Sequence, residues 1–254
     1  MIISFINQKG GAGKTTTALN VGAALTKKGY RVLLIDLDPQ GNLTTAAGLE
    51  PQTVAELPTV YEVLKGDVDV NDAIRATTAG YDVLPTDIRQ SGAEVELSAA
   101  GGRDFILREA IDGIKAEYDY ILLDCPPALS VITLMALTAC NEFIIPVQAQ
   151  YYALQGTAQL IKTYEMIKRR TNHDLTLCGV VVTLYDARKN LDRDVLESVR
   201  DAFGEKVFAT QIRNNISLAE APAFGQDIYA YKPDSVGAAD YTALTNEIIS
   251  RTEE

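Results

Sequence analysis

The stretch "INQKGGAGKTTT" (6–17) sets Gly10, Gly11, Ala12 and Gly13 directly before Lys14, Thr15 and Thr16. Glycines adopt backbone angles closed to other residues, which lets successive N–H groups point inward at one anion. A helix opening near Gly13 would add its own unpaired donors. Lys14 then reaches the β- and γ-phosphates of a nucleotide, and the Thr15 hydroxyl binds Mg²⁺. The usual spacing G-x-x-x-x-G-K-[ST] calls for glycine at position 8, where this chain has Gln8. A second lysine, Lys9, precedes Lys14 by five positions.

Carboxylates follow at two places. "DLDPQGN" (36–42) closes an apolar run with Asp36 and Asp38. Two acids at i and i+2 share a site only if the strand ends or bends between them. One would organise a metal shell and the other position water, and the Pro39–Gly41 turn could respond to a γ-phosphate. "YILLDCPP" (120–127) places Asp124 after four apolar positions, at the end of a strand where such an acid holds Mg²⁺ directly or through water. Together these groups point to transfer of a phosphoryl group to water, with Lys14, Mg²⁺ and backbone donors stabilising the charge. The lone histidine, His173 in "RRTNHDLT", has no partner motif and reads as a surface-loop residue.

The elements that hold these residues alternate. Strands are predicted at 2–7, 31–38, 81–85, 118–125, 142–147, 175–185 and 206–212. Helices are predicted at 13–29, 104–116, 130–139, 154–170, 190–203 and 237–251. "RVLLIDLD" (31–38) is almost continuously apolar, the mark of a strand buried on both faces. The pattern implies a three-layer α/β/α fold with a mostly parallel central sheet. Residues 86–103 give no clear element beyond a turn at Gly101–Gly102. No break reads as a linker, so one domain is expected over 1–254.

Composition narrows the classes. The chain of 254 residues is long enough for one large α/β core, and 47% apolar with 22% charged residues is globular. A net charge of −11 argues against coating DNA through overall charge but not against a local basic patch. Cys125, Cys140 and Cys178 lack metal or disulfide spacing and read as packing residues. Met1 leads straight into an apolar strand with no basic leader, and "VITLMALTAC" (131–140) is too short to span a bilayer. A cytoplasmic protein without membrane attachment is expected.

"KGGAGKTT" (9–16), "DLDPQGN" (36–42) and "LLDCPP" (122–127) resemble the deviant Walker A, switch and Walker B motifs of the ParA/Soj family of partitioning ATPases. "PVQAQYYALQG" (146–156), "TLYDARKNL" (183–191) and "IRNNISLAEAPAFGQDIYAYKPDSVGAADY" (212–241) extend the resemblance over nearly the whole chain. It implies a P-loop NTPase fold of the deviant Walker A type. Residues 9–16 would bind ATP, with Thr15, Asp36 and Asp124 serving Mg²⁺, some of them through water. Asp38 matches the acid linked to water activation. Lys9 matches the family's signature lysine, which reaches the phosphates of the partner's ATP in a homodimer, so Lys9, Lys14 and Asp38 form the expected catalytic set. The resemblance also implies an ATP-state dimer that binds DNA without sequence preference on the nucleoid. A centromere-binding or cargo adaptor protein then stimulates its slow hydrolysis.

For DNA, Arg188 matches a contact arginine of relatives and Lys189 adjoins it. Lys168, Arg169 and Arg170 form a second candidate patch, and Arg213 a third. Where relatives carry a "PRNVRLSEAP"-like segment this chain reads "RNNISLAEAP", and "KPDSVGA" stands in place of "DPRSRGA"; both changes remove positive charge. The short lead before the first loop leaves no room for an N-terminal DNA-reading domain, which marks the small type of partition ATPase. The acidic "RTEE" end argues against a membrane-associated division-site ATPase, and the cysteine contexts against an iron–sulfur relative. Cargo is chosen by a partner, so a plasmid, a chromosome or another large assembly all fit. A nucleotide-gated adaptor with little turnover is a further alternative.

Overall fold

The computed structural model describes residues 1–98, 101–150 and 157–253. The strands are β1 (Ile2–Phe5), β2 (Val32–Asp36), β3 (Arg75–Ala76), β4 (Asp82–Leu84), β5 (Tyr120–Asp124), β6 (Glu142–Gln148) and β7 (Thr176–Thr183). Among the described residues they form one sheet in the order β3-β4-β2-β5-β1-β6-β7. Only β3 runs antiparallel, pairing with β4; the other pairings are parallel. The chain passes from β1 to β2 on one side of β1 and later from β5 to β6 on its other side, and this change of direction opens a crevice at the C-terminal ends of the strands.

Alternation along each strand builds a core on both faces. Ile2, Leu33, Ile35, Ile121 and Leu123 face one side, and Ile3, Phe5, Leu34, Tyr120 and Leu122 the other. Both sets are apolar, so these strands read as unbroken runs rather than as alternating ones. Helix α1 (Lys14–Lys27) packs on the second face together with α2 (Asn42–Ala46). At Gly22 of α1, a Cβ would lie 2.6 Å from Leu34 Cδ2, so glycine lets the helix sit close on the sheet.

Short helices α3 (Pro51–Val54), α4 (Val60–Lys65) and α5 (Val70–Ala73) fill the stretch before β3. They were not legible as periodic elements, because each is about one turn long. A capping box nevertheless marks α4, where Thr59 and Glu62 satisfy each other's backbone donors. Residues 86–103 are not a bare loop: α6 spans Gln90–Ser98, and Gly102, at φ 73, starts a 3-10 turn into α7 (Ile106–Asp112). The helix expected over 104–116 is therefore shorter. α8 (Val131–Ala139), α9 (Thr157–Arg170) and α10 (Asn190–Phe203) cover the first face with α4 and α7. Residues 154–156 of the expected α9, and the segment 151–156, lie outside the described residues.

The strand expected at 206–212 does not form. Phe208 N–H and Ile212 N–H donate to Val180 and Val182 carbonyls at 2.9 Å, beside β7. Between them, Ala209 N–H and Thr210 N–H donate to the Glu247 carboxylate at 2.7 and 2.8 Å. That side chain takes donors a ladder would need, and only isolated bridges remain. α11 (Ile216–Glu220), α12 (Ile228–Tyr231) and α13 (Val236–Thr252) complete the chain, with Tyr241, Leu244 and Ile248 of α13 in the second core face.

Candidate functional site

The first loop leaves β1 at the centre of the sheet and ends in α1. Asn7 holds its start: the amide nitrogen donates to Pro146 O at 2.6 Å, and Oδ1 accepts from Lys9 N–H at 2.9 Å. Gly11 and Gly13 sit at φ 72 and 85, left-handed values that explain glycine there. Gly13 caps α1, and its carbonyl accepts from both Thr17 N–H and the Thr17 hydroxyl. Lys14, buried, opens the helix. Thr183, at the end of β7, donates to Ala12 O at 2.9 Å from across the sheet.

The two lysines are placed differently. Lys14 lines a cleft of about 790 Å³ together with Gly10, Gly11, Gly13, Thr15 and Thr16. Lys9 does not line it. Its Nζ donates instead to Gln150 Oε1 at 2.6 Å, in an exposed position.

The carboxylates converge beside Lys14. β2 ends at Asp36, and the chain turns at once: Asp38 N–H donates to Asp36 Oδ1 at 3.2 Å, and Gly41 N–H to Asp38 O at 2.9 Å. The bend that two acids at i and i+2 require is present. Asp36 pairs in register with Asp124 on β5. Asp36 Oδ2 accepts from both Thr44 N–H and the Thr44 hydroxyl at 2.8 Å. Burial pushes the Asp36 carboxyl up to about 7, while the Thr44 and Asp38 donors pull it down. Asp124 is fully buried, and among the described residues neither carboxyl oxygen has a hydrogen-bond partner. Burial, then the charge of Asp36, raises its pKa well above the carboxylate range. The Thr15 hydroxyl and Lys14 ease this without a well-aligned hydrogen bond to either oxygen.

An orphaned buried carboxylate beside a hydroxyl fits a hard cation with oxygen ligands. Asp124 and Thr15 could hold Mg²⁺, whereas both oxygens of Asp36 are taken, which suits contact through water. Among the described residues no group of three or more His, Cys, Asp or Glu is arranged as a metal site. Mg²⁺ fits such a sparse set because it keeps waters and takes phosphate oxygens as ligands. Asp38, nearly buried, lines the cleft with Gln40, whose N–H donates to Asp38 Oδ1 at 3.1 Å.

The far wall of the cleft was not foreseen from the sequence. Ile212, Asn214, Asn215, Leu218 and Pro222 line it, together with Leu184 after β7. Its shape is set by Tyr185 N–H donating to Ile212 O and Asn214 N–H to Tyr185 O, both at 3.0 Å. Polar side chains among apolar neighbours suit a flat heterocycle. The usable signal was "RNNISLAEAP" itself, an Asn-rich turn with no strand or helix period.

The basic candidates do not form one patch. Lys168, Arg169 and Arg170 end α9, which delivers the chain to the start of β7, at the end of the strands opposite the phosphate loop. There they complement the helix C-terminus, and Lys168 Nζ lies 5.7 Å from the Tyr164 ring centre. Arg188 and Lys189 follow the other end of β7, on the cleft side. Arg188 is highly exposed and pairs with Asp186 at 2.8 Å. Arg213 is engaged differently: its backbone N–H and guanidinium both bind the buried Asp240 carboxylate. Cys125, Cys140 and Cys178 are buried free thiols, and His173 is exposed, both as expected.

Sheet order, loop and first helix define a three-layer α/β/α P-loop NTPase fold with a Walker A motif. The sequence model described as "AAA domain" matches residues 1–177. The sporulation initiation inhibitor protein Soj of Bacillus subtilis is 46% identical over 248 residues, 97% of each chain. The chromosome partitioning protein ParA of Caulobacter vibrioides is 42% identical over 256 residues, 100% of this chain and 95% of its own. The chain therefore belongs to the ParA/Soj family of deviant Walker A partitioning ATPases. Among solved structures, cobyrinic acid a,c-diamide synthase from Mycobacterium smegmatis with bound ADP and magnesium superposes with a TM-score of 0.87 at 37% identity, covering 100% of this chain and 95% of that one. No helix among the described residues is long and apolar enough to cross a membrane.

Proposed function

We propose that this protein is a Mg-ATP-dependent ATPase that dimerises on binding ATP, binds DNA without sequence preference in that state, and partitions a plasmid or chromosome with a centromere-binding partner. The observation that carries the reading is the placement of Lys9. It stands outside its own cleft, its Nζ donating to Gln150 in an exposed position, while Lys14 is buried against the phosphate loop. A cation so placed is free to complete the site of a second copy.

Within one subunit, residues 10–16 cradle the phosphates, and Lys14 bears on the β/γ bridge. Mg²⁺ would neutralise charge on the phosphates, held by Thr15 and Asp124 with Asp36 behind a water. Asp38 orients the attacking water, and Lys9 of the other copy meets the charge that develops on the transferring group. The wall at 212–222 takes the adenine. Residues from both 10–16 and 212–226 line the cleft, which supports reading 1–254 as one ATPase domain. DNA is met by Arg188 and Lys189, which places the ATP form on the nucleoid.

The test measures DNA binding with ADP, ATP and a non-hydrolysable analogue across a salt series. ATP-selective binding that weakens with salt and is reduced by Arg188→Ala supports the reading. Indifference to DNA at low salt overturns its DNA part. Lys9→Ala is expected to stay folded and to remain monomeric with ATP by sedimentation. A normal ATP-dependent dimer in that variant overturns the cross-subunit role.

A further inference from the structure

The phosphate loop is fixed from a place far away in the sequence. Thr183 ends β7, is buried, and its hydroxyl donates to Ala12 O across a separation of 171 residues. Its own carbonyl accepts from Ala149 N–H at 3.0 Å, which ties the end of β7 to the chain leaving β6. The Thr183 side chain lies 3.5–3.6 Å from the position a Cβ on Gly13 would take, so it packs against that residue as well. The next residue, Leu184, has φ 54 and is the one non-glycine residue with positive φ among the described residues. A side chain with a Cβ is disfavoured there, and such strain collects at working sites. The turn stops β7 at Thr183 and sends Leu184 into the wall of the cleft.

A trans peptide is planar, and its C=O and N–H point in opposite directions. Holding the Ala12 carbonyl against Thr183 therefore fixes the direction of the Gly13 N–H. Gly13, at φ 85, has no Cβ to restrict it, so without an outside restraint this peptide could rotate. We propose that Thr183 is a positioning residue for nucleotide binding: its hydroxyl locks the Ala12–Gly13 peptide so that the Gly13 N–H stays aimed at the phosphates. The inference rests on the nucleotide reading above and adds to it a residue supplied by the far end of the sheet.

Two substitutions separate orientation from packing. Thr183→Val keeps the shape and loses the donor, and Thr183→Ser keeps the donor. Mg-ADP affinity is measured by titration calorimetry well below each variant's unfolding midpoint, so lower stability in the valine variant does not obscure the result. The valine variant is expected to bind ADP about tenfold more weakly or worse, the size of a hydrogen bond to a charged group. The serine variant is expected within about threefold of the parent. By NMR, the Gly13 amide resonance shifts on ADP addition in the parent and serine proteins, and much less in the valine protein. Equal ADP affinity in the parent and valine proteins overturns the role of Thr183 alone. A parent protein that binds no ADP overturns the nucleotide reading and this role with it.

Discussion

Thr44 shows how a single side chain sets the chemistry of a buried acid. Its N–H and hydroxyl both bind Asp36 Oδ2, and its hydroxyl oxygen accepts Thr86 N–H at 3.1 Å. Thr44→Val keeps the volume, removes one donor to Asp36 and leaves Thr86 N–H without its acceptor. A loss of about 1–3 kcal/mol is expected, read from urea unfolding. Asp36 keeps the Thr44 and Asp38 N–H donors but is held less firmly, so the Mg²⁺ concentration for half-maximal ATP hydrolysis should rise, and Thr44→Ser should restore both. Asp36 and Asp124 were visible in the sequence as strand-end acids. Thr44 was not, because a threonine eight residues after an aspartate has no motif of its own; the turn at Pro39–Gly41 brings it back.

Elements decide which residues can act together. β6 and β7 are parallel and joined through α9, so the end of α9 and the end of β7 lie at opposite ends of the strands. Sequence reading could rank Lys168–Arg170 and Arg188 only by local charge. Their separation makes a prediction: Arg188→Ala should reduce the salt slope of DNA binding by about one unit, and Lys168→Ala with Arg169→Ala and Arg170→Ala should leave it unchanged. Gel-shift titrations over a salt series check both. At the contact of α1 with β2, Gly22→Ala pushes a methyl against Leu34. The expected destabilisation is about 1–3 kcal/mol by thermal or urea unfolding, despite alanine's better helix propensity.

Across the whole molecule, the N-terminal ends of the central strands, remote from the cleft, are tied by charge. Arg31 donates to the Asp119 carboxylate through its backbone N–H and its guanidinium, and the N-terminal amine donates to Asp119 O. The side-chain and backbone hydrogen bonds from Arg31 hold Asp119 down to about 2. An unfolded aspartate titrates near 4, so the native state stabilises the ionised form. That contribution is complete above pH ~4 and is lost as pH falls toward 2. The stability difference between the parent and Asp119→Asn should therefore be constant from about pH 5 to 7 and shrink below pH ~4, by urea midpoints at each pH. Both groups are substantially exposed and screened by solvent, so the effect is small.

The alternation of apolar strands with helical periods determined the parallel sheet, because burial on both faces leaves continuous apolar runs at β1, β2 and β5. Local spacing likewise determined the phosphate loop, since its glycines and Lys14 are neighbours in the chain. Contacts at long range could be decided only by the tertiary structure. Glu247 took the donors of the strand expected at 206–212, and Asp240 took Arg213. Residues 212–222 became the far wall of the cleft, and Thr183 reached Ala12. Such pairings depend on where folding places segments that share no periodicity, and that information is spread over the whole chain.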